Sequence, residues 1–334
     1  MGARLYKIIF FVLGLGTLAY MFYALGPSEI WKSLLQTGWW FVPILLSWLF
    51  IYLMNAYAFQ AVIGRKKARE SKLSFAKIFQ LTVTGYSINY ITPFVGLGGE
   101  PYRIMELNAY LGSAKAGSSV LLYSMMHILS HLLFWLLSIG LIIAFVPLSK
   151  PVLIACLLIL LLSGLLCYWF SKVYKQGLSR SVFSFLSKLP WIGKRIGKFA
   201  AEKKDLFADI DIQIQDLFVN RKQSFYTALT WEFLARVLGC LEILLIAWTL
   251  GAQMTYVEAL IVSSGSSLFA NLIFFFPLQL GTREGGMAMA MVSVGYAASL
   301  GILIGVATRI RELIWIGIGL IFMLFTKKVK EVDN

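Results

Sequence analysis

Apolar residues run through this chain in long blocks separated by short polar intervals. A helix needs roughly 20 apolar residues to cross about 30 Å of hydrocarbon, whereas barrel strands would read as short alternating stretches. Six blocks are long enough to be spans: Ile8–Leu25, Phe41–Ile63, Ser118–Val146, Val152–Phe170, Phe225–Leu250 and Ala298–Thr326. The predicted fold class is therefore an all-α polytopic membrane protein. The first block follows Arg4 and Lys7 as a signal-peptide core would, yet Ala24-Leu25-Gly26-Pro27 is a poor cleavage site, so it reads as the first span.

Two further apolar blocks are interrupted in a matching way, at Asn89-Tyr-Ile-Thr-Pro93-Phe-Val-Gly-Leu-Gly98-Gly-Glu100-Pro-Tyr-Arg103 and at Asn271-Leu-Ile-Phe-Phe-Phe-Pro277-Leu-Gln-Leu-Gly281-Thr-Arg283-Glu284. The proline-to-glutamate distance is the same in both. Pro93 cannot continue a helix, and Gly96, Gly98 and Gly99 permit a sharp reversal. Pro101 suits the first position of a new helix, which leaves backbone N–H groups and a positive dipole end near Gly99 to Tyr102, where an anion is favoured. At the second break Thr282 is a candidate cap for a helix opening at Arg283-Glu284-Gly285. Corresponding breaks in two halves of a membrane protein point to a substrate site near the bilayer midplane, because non-helical backbone at that depth must be buried in protein or line a wet cavity.

Charge sets the orientation. Of the 334 residues 59% are hydrophobic and only 14% are charged, with a net charge of +14. Arg4 and Lys7 precede the first span, Arg65, Lys66, Lys67 and Arg69 follow the second, and Lys327 and Lys328 follow the last. The excess of Lys and Arg marks these loops as cytoplasmic, which puts both termini inside. The basic stretch 171–224 belongs inside as well, and the positive charge is this bias, not a nucleic-acid signature. With Lys66 and Ser118 both inside, Phe75–Tyr110 must enter and leave on one side. By the same count Tyr256–Tyr296 begins and ends outside.

The expected architecture is a single membrane domain over 1–334: an inverted repeat of about six spanning helices plus two re-entrant helical hairpins. The first repeat covers 1–146 and the second 147–334, with a basic amphipathic cytoplasmic segment at 171–224. The alternative is eight ordinary spans, one pair at each interruption. Within the cytoplasmic segment, Ser179–Pro190 and Trp191–Phe199 interleave apolar and basic residues at roughly helical spacing. They suit the inner leaflet and its anionic lipids, either as a plain connector or as a lipid-gathering element.

Charged residues also stand inside the spans: Arg309, Arg311 and Glu312 in the last, Glu232 and Arg236 one turn apart in the one before. An ionised residue at a helix centre costs about 2.5–3.5 kcal/mol on insertion scales, so such residues should pair and face a cavity. The candidate substrate-binding residues are Asn89, Gly98, Gly99, Glu100, Tyr102, Arg103, Asn271, Gly281, Thr282, Arg283, Glu284 and Arg311. Glu232, Arg236, Arg309 and Glu312 are candidates for coupling or structural ion pairing. His127 and His131 lie four apart on one helix face, but no third ligand stands at a recognisable spacing, and an interhelical contact is favoured over a proton relay or a metal. Cys156, Cys167 and Cys240 fall in apolar blocks and act as small hydrophobes. No catalytic residue, metal or cofactor is expected: no nucleophile–base constellation occurs, and the Gly96–Gly99 run lacks the lysine of a phosphate loop.

At Gly96-Leu-Gly98-Gly99-Glu100-Pro-Tyr-Arg103 and at Pro277-Leu-Gln-Leu-Gly281-Thr-Arg283-Glu284-Gly285 the chain resembles the lysylphosphatidylglycerol synthase transmembrane-region family, also called flippase-like. The basic stretch between the halves and the arginine-bearing last span extend the resemblance over nearly the whole chain. It implies a domain that moves aminoacylated phosphatidylglycerol between leaflets while a separate soluble domain makes that lipid. No such soluble domain is read here, which implies a translocating portion with a separate lipid-modifying enzyme as partner. Relatives in lipid-linked sugar pathways keep polyprenyl-phosphate carriers open.

The expected function is movement of a phosphate-bearing lipid across the cytoplasmic (inner) membrane through a midplane polar cavity. Arg103, Arg283 and Arg311 would hold the phosphate, and Glu100 and Glu284 an amine or a coupling proton. The alternatives are a transferase component acting on lipid-linked sugars and a small-solute antiporter.

Overall fold

A computed structural model describes residues 26–64, 73–92, 98–147, 150–176, 204–272 and 281–325, with parts of 8–24. Its elements are all helical: α1 (Pro27–Thr37), a 3-10 turn (Gly38–Trp40), α2 (Phe41–Ile63), α3 (Phe75–Ile91), α4 (Gly99–Leu111), α5 (Ser113–Phe145), α6 (Lys150–Gln176), α7 (Lys204–Val219), α8 (Lys222–Thr249), α9 (Tyr256–Leu272), α10 (Thr282–Ser293) and α11 (Ala298–Leu324). No strand occurs among the described residues. Residues 10, 14, 17, 18, 21, 22 and 25 of the expected span Ile8–Leu25, residues 177–203 of the basic segment, and residues 93–97 and 273–280 of the two breaks lie outside the described residues.

Gly38–Ile63, Ser113–Phe145 and Val152–Trp169 are long and apolar enough to cross a membrane. Helices α8 and α11 have 28 and 27 residues, about 40 Å at about 1.5 Å per residue, but carry charges inside their apolar runs. The block expected to start at Ser118 begins five residues earlier, because Gly112, at φ +79°, joins α4 to α5 with no other linker. The arms at the breaks are short. Helices α3 and α9 have 17 residues each, α4 has 13 and α10 has 12, so α4 and α10 reach only about 18–20 Å.

Two expected helix starts are corrected. Pro101 is the third residue of α4, which opens at Gly99; the first turn tolerates it there because its missing N–H would have had no partner. Thr282 is the first residue of α10 and not its cap. Gly281 takes that position at φ +80°, and the Glu284 carboxylate accepts the Gly281 N–H at 2.8 Å.

Helix α2 packs along α8, α3 along α11, and α9 along α5. Each broken hairpin also packs on the helix that follows it, α4 on α5 and α10 on α11. Small residues make the close approaches, as in membrane bundles where backbone proximity replaces the hydrophobic drive. A Cβ on Gly301 would fall 2.7 Å from Ala288, and one on Gly305 would fall 2.9 Å from Glu284 Cγ, so α10 lies in a groove of α11. A Cβ on Gly99 would meet the Gly85 carbonyl oxygen at 2.1 Å, which closes the α3–α4 hairpin. Between α3 and α11, Gln80 donates to the Phe322 carbonyl at 2.6 Å, Thr84 to Gly319 at 3.2 Å and Ser87 to Trp315 at 3.2 Å. This antiparallel ladder ties the first hairpin to the last helix.

Gly99→Ala should overpack the hairpin and cost about 1–3 kcal/mol, read as a lower thermal midpoint in detergent. Gly140→Ala, whose Cβ meets nothing within 4 Å, should leave the midpoint unchanged or slightly raised.

Candidate functional site

Both broken segments open on one cavity of about 580 Å³. Asn89, Thr92, Glu100 and Arg103 reach it from the first break, and Asn271 and Arg283 from the second. The remaining wall comes from α2 (Tyr52, Asn55), α5 (Tyr123, Ser124, His127, His131), α8 (Glu232, Arg236, Glu242), α9 (Ser263, Ser266, Ser267) and α11 (Thr308, Arg309).

The first break is closed from inside. Asn89 Oδ1 accepts the Gly99 N–H at 2.7 Å and its Nδ2 donates to Glu100 Oε1 at 3.2 Å. The helix start therefore does not offer all its amide groups to a ligand. Arg103 folds back over α3, donating to the Leu81 and Thr82 carbonyls at 3.4 and 3.3 Å and to Glu100 Oε1 at 3.4 Å. Gly85 makes room for it: a Cβ there would sit 2.2 Å from Arg103 Nε. The Arg103 guanidinium also faces the Tyr86 and Tyr123 rings at 5.0 and 5.4 Å, favourable cation–π distances.

The second break is held by charge. Arg283 on α10 bonds Glu312 on α11, and Arg309 on α11 bonds Glu284 on α10 at 2.8 Å, a reciprocal pair of links. Arg309 Nη1 also donates to Glu312 Oε2 at 3.2 Å. Arg283 keeps 20% of its side chain exposed, against 3% for Arg309. Behind this layer Arg311 is fully buried and donates to both oxygens of Glu242 at 2.8 Å, while Trp48 Nε1 donates to Glu242 Oε2 at 2.9 Å. The guanidinium lies 3.5 Å from the Trp48 ring centre. This triad ties α11, α8 and α2 together.

A third set joins α5 to α8. Glu232 Oε2 lies 2.8 Å from His127 Nδ1, which is 3.0 Å from the Tyr86 hydroxyl, itself 2.9 Å from Tyr123. Arg236 donates to Ser130 Oγ at 2.7 Å, to His131 Nε2 at 2.6 Å and to the His127 carbonyl at 3.0 Å. Because a guanidinium can only donate, His131 Nε2 is an acceptor and that imidazole is neutral. Both histidines make interhelical contacts, and no cluster of three metal-ligating side chains occurs among the described residues.

Of the expected site residues, Asn89, Glu100, Arg103, Asn271 and Arg283 line the cavity, as do Glu232, Arg236 and Arg309. Asn271 bonds back to the Ser267 carbonyl in its own helix at 2.7 Å. Gly98, Gly99 and Tyr102 are buried at the hairpin contact, Gly281 is exposed, and Thr282, Glu284, Arg311 and Glu312 stand outside the lining. Sequence reasoning missed Glu242, Trp48, Asn55, Tyr86 and the serines of α9. Glu242 had a signal, an acidic residue inside an apolar span, as Glu232 does. An Asp-x-Asp spacing of the kind that holds a transferase metal occurs at Asp209-Ile210-Asp211, but on α7, where residues two apart point roughly 200° from one another. Neither aspartate lines the cavity.

Five arginines (103, 236, 283, 309, 311) and five glutamates (100, 232, 242, 284, 312) surround this space and balance in charge. The fold and site define an all-helical membrane protein with a half-open cavity to which two helical hairpins contribute charge-balanced side chains. Residues 6–319 match the family described as Lysylphosphatidylglycerol synthase TM region, and the chain belongs to it. That membership ties the chain to membrane lipids. No curated protein and no solved structure matches it.

Arg311→Met alone should strand Glu242 and destabilise the fold by about 3–5 kcal/mol, whereas Arg311→Met with Glu242→Leu should recover most of that loss. Thermal unfolding of the purified variants in detergent is the check.

Proposed function

We propose that this protein moves a phosphate-bearing lipid (a phospholipid, an aminoacyl-phospholipid or a polyprenyl-phosphate-linked lipid) between leaflets. The observation that carries this is the shared cavity: two interrupted segments far apart in sequence contribute charged side chains to one space. A volume of about 580 Å³ is that of a small-molecule pocket and suits a headgroup, with the lipid tails left in the hydrocarbon.

The phosphate is assigned to Arg283, whose side chain is the more exposed of the two that cross-link α10 and α11. The first break contributes Asn89, Glu100 and Arg103, which the geometry holds as a preformed polar wall. Arg311, Arg309, Glu284 and Glu312 support Arg283 from behind.

Helices α4 and α10 are too short to cross about 30 Å of hydrocarbon, which supports re-entrant hairpins over fully spanning pairs. Part of the packing supports a two-fold repeat, although the α5–α8 contact has no counterpart of like extent between α11 and α2. Exchanging α2 with α8, α3 with α9, α4 with α10 and α5 with α11 turns the α3–α11 contact into α9–α5, the α4–α5 contact into α10–α11, and maps α2–α8 onto itself. In such a repeat, rocking of one half against the other gives alternating access. Loop charges favour an inner-membrane placement with both termini cytoplasmic. A separate lipid-modifying enzyme and anionic inner-leaflet lipids are the proposed partners, and the chain itself is a carrier and not an enzyme.

Arg283→Gln leaves Glu312 its contacts with Arg309 and Arg311, so the fold should persist. In proteoliposomes with leaflet-resolved fluorescent lipids the variant should transport at least about tenfold more slowly, the loss of one charge-assisted contact of about 1.5–3 kcal/mol. Parental rates from folded Arg283→Gln would contradict the assignment. Uptake of small solutes without lipid movement would favour an antiporter.

A further inference from the structure

We infer that the Glu232–His127 pair takes up one proton when an anionic headgroup occupies the cavity, so that proton and lipid are carried together. This rests on the lipid reading above and adds the coupling to it.

Glu232 differs from its neighbours. Among the described residues, Glu100 meets Arg103, Glu242 meets Arg311, Glu284 meets Arg309, and Glu312 meets Arg283 and Arg309. A guanidinium does not give up its proton in a protein, so those charges are fixed. Glu232 has an imidazole for its ion partner, His127 Nδ1 at 2.8 Å. Its second oxygen, Oε1, has no hydrogen-bond partner although the side chain is only 1% exposed. A buried carboxylate with an open acceptor oxygen and a titratable partner is the place where the interior can change charge.

His127 gives the route. Its side chain is 32% exposed and lines the cavity, so cavity water reaches the imidazole, and the imidazole reaches Glu232. The groups around the pair are Arg236 on α8, His131 and Tyr123 on α5, Tyr86 on α3 and Arg103 on α4, and Glu100, Glu242, Arg283 and Arg309 line the same cavity. Helix α2 adds Tyr52 and the neutral Asn55, and α9 adds serines. Arg236 is occupied by Ser130, His131 and the His127 carbonyl. His131 already accepts from Arg236 and would have to break that bond to take a proton on Nε2.

The proton balance is simple. A hydronium ion in the cavity gives one proton to the pair, forming an O–H bond at Glu232 or an N–H bond at His127, and leaves as water. The pair goes from one negative charge to none. The interior then carries one net positive charge, which one phosphate monoanion cancels. An uncompensated charge at membrane depth is costly, so each event favours the other, and the coupling is reciprocal: lower pH tightens headgroup binding, and headgroup binding raises proton affinity.

Isothermal titration of the detergent-purified chain with short-chain phosphatidylglycerol, in two buffers of different ionisation enthalpy near neutral pH, reads the protons taken up. The expected result is up to about one proton per lipid bound, with none for Glu232→Gln, whose interior already carries the extra positive charge and whose affinity should no longer depend on pH. Short-chain phosphatidylcholine, with no net charge, should bind without proton uptake. Phosphatidylglycerol bound by the parent with no buffer dependence would overturn this inference and leave the lipid reading standing; no binding of either lipid would overturn both. The parental measurement decides the matter even if Glu232→Gln fails to fold.

Discussion

Everything in this molecule depends on guanidinium and carboxylate groups being balanced inside a layer where neither is tolerated alone. A bare charge there costs several kcal/mol, and breaking a buried pair costs as much again. The chain meets this with links that cross between helices: Arg283 to Glu312 and Glu284 to Arg309 join α10 and α11, and the Arg311–Glu242–Trp48 triad joins α11 to α8 and α2. These are the struts of the cavity. They let α8 and α11 carry charges and still pack within the bundle, and they fix α10 against α11.

Glycines and small polar residues supply the other half of the construction. Arg103 can lie against the backbone of α3 because Gly85 has no side chain, and the hairpin closes there because Gly99 has none either. The ladder from Gln80, Thr84 and Ser87 to the carbonyls of α11 holds the first hairpin against the last helix. Side-chain donors aimed at the carbonyls of a neighbouring helix are a means of tying helices together where lipid offers no hydrophobic drive. The cavity is the space left when two such hairpins, each fastened to the other half, are kept from collapsing by paired charges.

Much of this was legible in the residues. Phe41–Ile63 and the start at Ala298 were marked by the length of their apolar blocks, and the two breaks were marked by proline, glycine and glutamate at matching spacing. Membrane depth made Glu232, Arg236, Arg309 and Glu312 conspicuous for the same reason that it makes them costly. What sequence did not show was pairing. Arg311 and Arg283 are alike as letters, yet one is sealed behind Trp48 and Glu242 and the other faces the cavity, a difference set by which helix passes in front. The cap at Gly281 was hidden because its partner is the side chain of Glu284, which the break made more plausible as a ligand group. Asn89 could have faced either way; it faces inward and uses the Gly99 amide that a phosphate was expected to meet.

The central claim is that the space between the two breaks is wet and receives a headgroup. Ser267 lines it and is half-buried, so a cysteine at that position reports on the cavity. In a chain whose three native cysteines are replaced, Ser267→Cys should react with a small charged thiol reagent that does not enter lipid, and short-chain phosphatidylglycerol should slow that reaction. A folded variant that stays unreactive, or one whose labelling is indifferent to the lipid, would contradict the account.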